Sequence, residues 1–306
     1  MIRYVKHHFI DKAKYDLCVK LDSSGLVYGF SWYLDTACET WDALVLNDYD
    51  AVWPLPVRSK FGIKYFYRPF GIQQLGIFSK IDVSDDYRNE FAKQMIANCK
   101  FADLYLNEDQ LIGVESLAGV QTKINRNYVL NLGTSYREIY HGYNSNTRRA
   151  IKKASKQKLE IFEHDGPDVL IDIFKDTRGE RLQLSEAFYA NMSKLMYQAL
   201  HKGVGKVWTV YGPGNIACGG AFFIETNTRS TLLFTALDDV GKEMRAMFHL
   251  LNEYIILNSE NQLLLDFEGS NDEGVAHFYR SFGSKEKHYQ QLKYNGLPLP
   301  LRWLKK

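Results

Sequence analysis

The spacing of apolar residues changes along this chain, and the clearest change lies between residues 263 and 284. Leu263, Leu264 and Leu265 begin a short apolar run, which is typical of a buried central strand. Four apolar residues then recur at helical spacing: Val275, Phe278, Tyr279 and Phe282. Asn271 or Asp272 can cap this helix, and Gly283 can end it. The pattern predicts a strand, an acidic loop and a helix in direct succession.

Apolar spacing along the rest of the chain predicts two sets of strands and helices. In the first part we expect strands at 3–6, 43–46, 50–57, 64–67, 75–78 and 101–106, and helices at 10–21 and 85–98. In the second part we expect strands at 128–132, 159–163, 206–211, 216–225, 231–237 and 287–294, and helices at 135–141, 146–158, within 167–202 and at 242–257. The polar, turn-rich stretch 107–127 predicts a domain junction. These elements indicate an α/β fold, an α+β mixed sheet, with domains at 1–120 and 121–306.

Length and composition narrow the possible partners. The 306 residues suffice for two domains of about 150 residues, each with its own core. The net charge is only +2, so no overall field indicates a nucleic acid or a membrane as partner. The four cysteines show neither zinc nor disulfide spacing, which predicts reduced thiols and no metal site. No apolar run approaches the ~20 residues of a membrane span. We therefore expect a cytoplasmic protein with no membrane span.

The residues from Val275 to Gly283 resemble the last conserved helix of the GNAT acyltransferases, in which a Tyr precedes a Gly by four positions. Together with the preceding segment 266–270, DFEGS, the string is more similar to the FemAB-like branch, in which two GNAT folds lie in tandem. The segment 143–153, YNSNTRRAIKK, resembles the basic segment at the start of the second GNAT unit of that branch. The resemblance implies two tandem GNAT-like acyltransferase domains, with the active site in the second domain.

The chemistry that this resemblance implies is transfer of an acyl group to an amine, which needs a base for the amine and an acid for the leaving group. Tyr279 is the candidate acid, and packing of its ring on the sheet is the alternative interpretation. Glu268 is the preferred base and Asp266 the second choice, because carboxylates at the carboxyl end of a strand open toward the ligand crevice of α/β folds. A helix cap or a salt bridge is the alternative for either carboxylate.

The donor phosphates in such a fold would lie at the start of the helix that follows the hairpin strands, here the segment 238–244. Gly241, Lys242 and Met244 are the candidate contacts in that segment, and Arg280 is a further cation. Only Gly241 clearly keeps the family pattern, and a plain turn residue is its alternative interpretation. Arg148, Arg149 and Lys152 form a basic patch that either binds an anionic ligand or is a solvated helix face.

Three functions remain open from the sequence. The first is an N-acyltransferase that uses acyl-CoA or acetyl-CoA as co-substrate and a small-molecule primary amine as acceptor; Tyr at position 279 favours this donor. The second is a Fem-type transferase that takes its acyl group from aminoacyl-tRNA and acts on a cell-wall precursor, which the basic patch would suit. The third is a GNAT-fold protein that binds a ligand without turnover.

Overall fold

The computed structural model describes residues 1–113, 117–163, 166–269, 271–298 and 302. The chain forms two compact units, the first made of Met1–Arg126 and the chain from Lys287 onward, and the second of Asn127–Glu286. The first boundary therefore lies at residue 126 rather than at the predicted residue 120. The sequence assigns everything after residue 286 to the second domain, whereas in the structure that part of the chain belongs to the first unit.

The first unit is a mixed sheet with helices between its strands. Its strands are β1 (Ile2–Val5), β2 (Trp41–Leu46), β3 (Ala51–Lys60), β4 (Ile63–Phe66), β5 (Phe78–Ser79), β6 (Phe101–Tyr105) and, from the end of the chain, β13 (Lys285–Asn295). Its helices are α1 (Lys12–Leu21), α2 (Ser31–Ala37) and α3 (Asp85–Ala97), with 3-10 turns at His7–Phe9 and Val27–Gly29. The strands pair in the order β1-β2-β3-β4-β6-β13, and β5 pairs with β3. β4 and β6 run parallel, while the other pairs in this order run antiparallel.

The second unit repeats the mixture of parallel and antiparallel pairing. Its strands are β7 (Val120–Asn131), which begins in the first unit, β8 (Glu160–Glu163), β9 (Gly205–Gly212), β10 (Ile216–Glu225), β11 (Arg229–Leu237) and β12 (Leu264–Asp266). Its helices are α4 (Tyr136–Gly142), α5 (Ser145–Ala154), α6 (Asp168–Phe174), α7 (Glu180–Leu182), α8 (Glu186–His201), α9 (Asp239–Met244), α10 (Ala246–Asn258) and α11 (Glu273–Arg280), and a π-helix at Lys175–Gly179 links α6 to α7. The strand order is β7-β12-β11-β10-β9-β8, in which β11 and β12 run parallel. Across the described ranges, no helix has both the length and the apolar character needed to cross a membrane.

Helices cover both faces of the hairpin strands in the second unit. Ala221 and Phe223 of β10 belong to the core that contains α10, and the Phe223 ring stacks on Tyr254 of that helix at 3.8 Å between centroids. The neighbouring Gly220 faces the opposite side of the sheet, because successive residues of a strand alternate between its two faces. A Cβ at Gly220 would lie 2.5 Å from Leu170 Cδ2, so glycine lets α6 approach the sheet closely. The unit is thus a sheet between two helical layers.

Local signals explain where several helices begin and end. The Ser84 hydroxyl caps α3, and Ser135 and Glu138 form a reciprocal capping box at α4. Asp272 caps α11 by accepting the Val275 N–H, and Gly283 follows the helix in a left-handed conformation with φ +76°. The predicted strand, loop and helix between residues 263 and 284 are confirmed in this order.

Two predictions about elements are wrong, and one helix was missed. The single helix expected at 242–257 is two helices, because Arg245 adopts a left-handed conformation with φ +62° between α9 and α10. The strand expected to complete the second unit belongs mainly to the first unit, where it pairs with β6. Helix α2 was not predicted, because its aromatic-rich sequence lacks a clear polar face. The boundary at Arg126 lies within the junction predicted at 107–127, although that stretch also contains the beginning of β7.

Candidate active site

The parallel strands β11 and β12 separate from each other after a short paired segment. They pair only from Arg229 to Thr231 and from Leu264 to Asp266, where β12 ends, whereas β11 continues to Leu237. On its other edge β11 pairs with β10 through a bulge that leaves Leu233 unmatched. A bulge bends its strand and re-aims the following side chains. The separation opens a space at the carboxyl ends of the two strands, where α/β folds bind ligands.

A buried ion pair fixes the point at which the strands separate. Arg229 Nη1 lies 2.5 Å from Asp266 Oδ2, and both side chains are buried. Asp266 Oδ1 accepts hydrogen bonds from Asn127 Nδ2 at 3.0 Å and from the Glu268 N–H at 2.9 Å. Both carboxylate oxygens therefore have partners, as a buried charge requires. Asp266 forms a salt bridge, with Arg229 of β11 rather than with the following helix; its role as the second-choice base stays a prediction.

Glu268 and Tyr279 are electrostatically coupled beside this ion pair. Glu268 is half-buried and holds a left-handed backbone conformation with φ +51°, which is uncommon for a residue other than glycine. The Tyr279 ring stacks on Phe267 at 4.9 Å between centroids. Burial raises the pKa of the Tyr279 hydroxyl well above its usual value, the charge of Glu268 raises it further, and Arg178 acts in the opposite direction. The phenol therefore keeps its proton at neutral pH and can donate it.

A cavity of about 760 Å³ lies among the end of β11, the α6–α7 region, the α9–α10 break and the start of α11; Glu268 and Tyr279 are not among its lining residues. Its apolar lining comes from α6, the end of β11, the start of α10 and the first turns of α11: Phe174, Leu237, Met247, Phe248, Val275 and Phe278. All lining residues belong to the second unit. The volume is in the range of small-molecule sites, and an apolar lining with a few charged groups is typical of them.

The charged residues of the cavity come mainly from the π-helix region and from the α9–α10 break. The cations are Arg178, Arg181, Lys242 and Arg245, and the acids are Asp176, Asp239 and Asp272. Lys242 is paired with Asp239 at 2.7 Å, and Asp272 is engaged as the cap of α11. Within the described part of the chain, the three arginine side chains make no ion pair or hydrogen bond. π-Helical turns are rare and often lie at functional sites, as this one does.

One amide of the predicted phosphate cradle at the start of α9 already has a side-chain partner. The Asp238 carboxylate caps this six-residue helix by accepting the Gly241 N–H at 2.7 Å. A carboxylate at this position satisfies the amide and repels a second anion. A Cβ at Gly241 would overlap the Cys218 carbonyl oxygen and lie 2.7 Å from Leu237 Cδ1. Glycine is therefore required for packing α9 on β10, which explains its presence without a ligand.

Most of the other predicted cations lie away from this cavity. Arg148, Arg149 and Lys152 lie on α5, and Arg148 Nη2 donates to the His141 carbonyl at 2.8 Å. Arg280 pairs with Glu273 at 3.2 Å. Met244 is buried on α9, so of the predicted donor contacts only Lys242 lines the cavity.

The cavity arginines were missed by sequence reasoning. Arg178 and Arg181 fall in the segment DTRGER, where an interruption by Thr and Gly within a predicted helix is the only local signal. Arg245 falls in the first turn of the helix expected at 242–257, and its left-handed conformation has no signal in the sequence.

Comparison with known proteins shows the fold. The structure is similar to the crystal structure of FemX, with a TM-score of 0.70 and 12% identity over 97% of this chain and 98% of that chain. It is also similar to L-PGS from Bacillus licheniformis (TM-score 0.56, 11% identity, 96% and 95% covered) and to a tandem GNAT protein from the clavulanic acid biosynthesis pathway (TM-score 0.52, 9% identity, 97% and 99% covered). No protein-family model matches the sequence, and no curated protein sequence matches it. The chain therefore has the fold that FemX and the tandem GNAT protein share, two GNAT-like units in tandem, as the sequence predicted.

Proposed function

We propose that the protein is an N-acyltransferase that moves an acyl group from acyl-CoA to a small-molecule primary amine. The observation that carries this proposal is the pairing of a protonated Tyr279 with the charge of Glu268. Neither residue lines the cavity of about 760 Å³, but Arg178, which acts on Tyr279, and Phe278, the neighbour of Tyr279 on α11, both do. Acid and base must act on the same reacting group, and an interacting pair of this kind meets that need. The tandem GNAT, Fem-type fold supports a transferase reaction.

In the proposed reaction the amine nitrogen attacks the thioester carbonyl carbon. Glu268 takes the proton that the nitrogen loses, the new C–N bond forms, and the C–S bond breaks. The departing sulfur takes a proton from Tyr279, and the tyrosinate regains a proton from solvent as Glu268 releases its own. Arg178 supports this step because its charge opposes the rise of the Tyr279 pKa and stabilises the tyrosinate.

The aminoacyl-tRNA reaction is the second candidate, and one observation favours it. Arg149, Lys152 and Lys153 are exposed on α5, where they could contact a polyanion outside the cavity. Against it, Tyr279 resembles the acid of the CoA-dependent GNAT enzymes, and the cavity has the size of a small-molecule site.

Calorimetric titration with CoA, acetyl-CoA and bulk tRNA at two salt concentrations separates these functions. We expect saturable, micromolar binding of CoA and acetyl-CoA, and release of free thiol from acetyl-CoA only when a primary amine is present. Salt-sensitive tRNA binding without CoA binding would favour the aminoacyl route. Absence of binding in both titrations would contradict both transferase reactions and favour a ligand-binding protein without turnover.

A further inference from the structure

Two of the arginines that line the cavity have no role in the proposed reaction. Arg181 lies on α7, directly after the π-helix, and Arg245 lies at the break between α9 and α10. Both line the cavity, both are exposed, and neither has an ionic partner among the described residues. Arg178, the third unpaired arginine, acts on Tyr279 instead.

We infer that Arg181 and Arg245 form a side-chain clamp for the phosphate groups of the donor. The clamp takes the role of the α9 N-terminus, where Asp238 caps the Gly241 N–H. This inference rests on the proposed function. The ligand class is a phosphopantetheine thioester, which either CoA or the prosthetic arm of an acyl carrier protein supplies. The guanidinium group suits this role because its planar fork donates two parallel hydrogen bonds to phosphate and it remains charged at every physiological pH.

The backbone fixes where both arginines stand. The π-helix before Arg181 ends at Gly179, where a Cβ would overlap Tyr189 Oη and lie 3.0 Å from the Phe174 carbonyl oxygen. The left-handed Arg245 is held by its own N–H to the Lys242 carbonyl at 3.2 Å, and its carbonyl accepts the N–H groups of Phe248 and His249. A non-glycine residue in this conformation is uncommon, and here it turns the chain so that Arg245 lines the cavity.

The balance of charge in the cavity favours an anionic ligand for these arginines. Lys242 and Asp239 neutralise each other, and Asp272 is engaged by the Val275 N–H. Asp176 is then the one remaining acid among the described lining residues, against Arg178, Arg181 and Arg245. Unpaired cations at a partly apolar cavity attract a negatively charged ligand. The apolar side chains of Met247, Phe248 and Val275 suit the uncharged pantetheine arm next to the phosphates.

The test compares donors with and without phosphate in matched variants. Arg181→Gln, Arg245→Gln and the double variant remove the charge and keep the length of the side chain, and Arg149→Gln on α5 is the control outside the cavity. The probes are CoA, 4′-phosphopantetheine and pantetheine in calorimetry, and their acetyl thioesters in turnover. Because all three arginines are exposed, we expect unchanged melting temperatures.

We expect each single variant to weaken 4′-phosphopantetheine binding about 10-fold and the double variant about 100-fold, since each lost charge-assisted hydrogen bond costs that much. Pantetheine binding and the Arg149→Gln control should not change. In turnover, KM for acetyl-CoA should rise with kcat within about threefold, because the phosphates lie away from the reacting bond. Equal binding of 4′-phosphopantetheine by wild type and double variant, or equal losses for pantetheine, would overturn the clamp.

The same experiment distinguishes CoA from an acyl carrier protein as the source of the ligand. It also distinguishes failure of the proposed acyltransferase function from failure of the arginine clamp. CoA binding several-fold tighter than 4′-phosphopantetheine would identify the nucleotide donor, and equal binding would direct the search to carrier proteins. Failure of the proposed function appears as binding without thiol release in any acetyl thioester. Failure of the clamp appears as turnover of acetyl-pantetheine and acetyl-CoA with the same KM.

Discussion

Among the described residues, each unit contains a parallel strand pair, β4–β6 in the first and β11–β12 in the second. The segment that follows β6 differs from the segment that follows β12. In the first unit, the residues after β6 are tied to the segment before β5 by amide side chains: Asn107 Oδ1 accepts the Gly76 N–H at 2.7 Å, and Gln110 Oε1 accepts the Ile77 N–H at 2.9 Å. In the second unit, the chain after β12 carries Glu268 and continues to Asp272, which lines the cavity.

The difference shows how one strand arrangement serves two purposes. Neutral amides satisfy buried backbone groups without adding charge, which gives a closed, stable connection. Asn107 is buried and also donates to the Ile77 carbonyl at 3.1 Å, so its amide is fully used by the fold. In the second unit, charge is concentrated instead, in the buried Arg229–Asp266 pair and in Glu268, which acts electrostatically on Tyr279. We therefore expect substitutions in the second unit to separate into stability effects and rate effects.

The largest expected effect is on the buried ion pair. Asp266→Asn removes the carboxylate charge that lies 2.5 Å from the buried Arg229 guanidinium, which should cost about 3–5 kcal/mol of unfolding free energy. Asp103→Asn on β6 is the matched control in the first unit, because Asp103 is half-buried and has a hydrogen bond from Gln291 rather than an ion pair. Urea unfolding followed by circular dichroism measures both. A similar, small loss in both variants would contradict a structural role that is special to Asp266.

The next effect is on the rate of reaction. Glu268→Gln removes the proposed base but keeps the size of the side chain, so turnover should fall ~10²-fold or more while the melting temperature stays the same. Glu273→Gln at the start of α11 is the control, since Glu273 is exposed and forms a surface pair with Arg280. Steady-state thiol release measures the rates. An unchanged rate in Glu268→Gln would remove this carboxylate from the mechanism.

A third substitution decides what Gly241 does. Gly241→Ala should lower stability by about 1–3 kcal/mol, because its Cβ overlaps the Cys218 carbonyl oxygen. Gly274→Ala is the control, because its nearest neighbour, Asp272 Oδ1, would be 3.2 Å from the new Cβ. Thermal melting and donor KM are measured together. A raised KM with unchanged stability would instead identify Gly241 as a phosphate contact.

The smallest expected effect concerns the acid. Tyr279→Phe should slow transfer from a thioester about 10-fold, and transfer from an oxygen ester with a better leaving group less, because the proposed proton goes to the leaving atom. Because burial raises the Tyr279 pKa, the hydroxyl keeps its proton beyond pH ~10. Ionisation of Tyr279 should therefore not lower the activity of the wild type at any pH below ~10. Equal slowing of both esters would argue against the acid role.

The sequence predicted what depends on neighbouring residues. The cap Asp272, the stop at Gly283 and the antiparallel strands of the second unit all follow from local spacing and turn chemistry. The resemblance to the tandem GNAT fold was carried by the segment 263–284, which holds both Glu268 and Tyr279. These features need no knowledge of distant contacts.

The remaining features depend on contacts between residues that are far apart in sequence. The partner of Asp266 is Arg229, 37 positions away, so the sequence could not decide between a base and an ion pair. Arg178 and Arg245 meet at one cavity only because a π-helix and a left-handed residue redirect their helices. Conversely, the basic residues of α5 form a clear sequence pattern but do not line that cavity.

The pairing of β13 with β6 has a consequence for how the chain folds during synthesis. Gln291 Nε2 donates to Asp103 across 188 positions of sequence, so the sheet of the first unit is completed only after the last strand has left the ribosome. The second unit, Asn127–Glu286, is continuous and needs no such late partner. Contacts of long sequence separation slow folding and leave strand edges exposed for longer. The first unit is therefore expected to complete its folding after the second, although most of its residues precede the second unit in the sequence. Until β13 pairs with β6, the edge of β6 is exposed and must be protected from pairing with other chains.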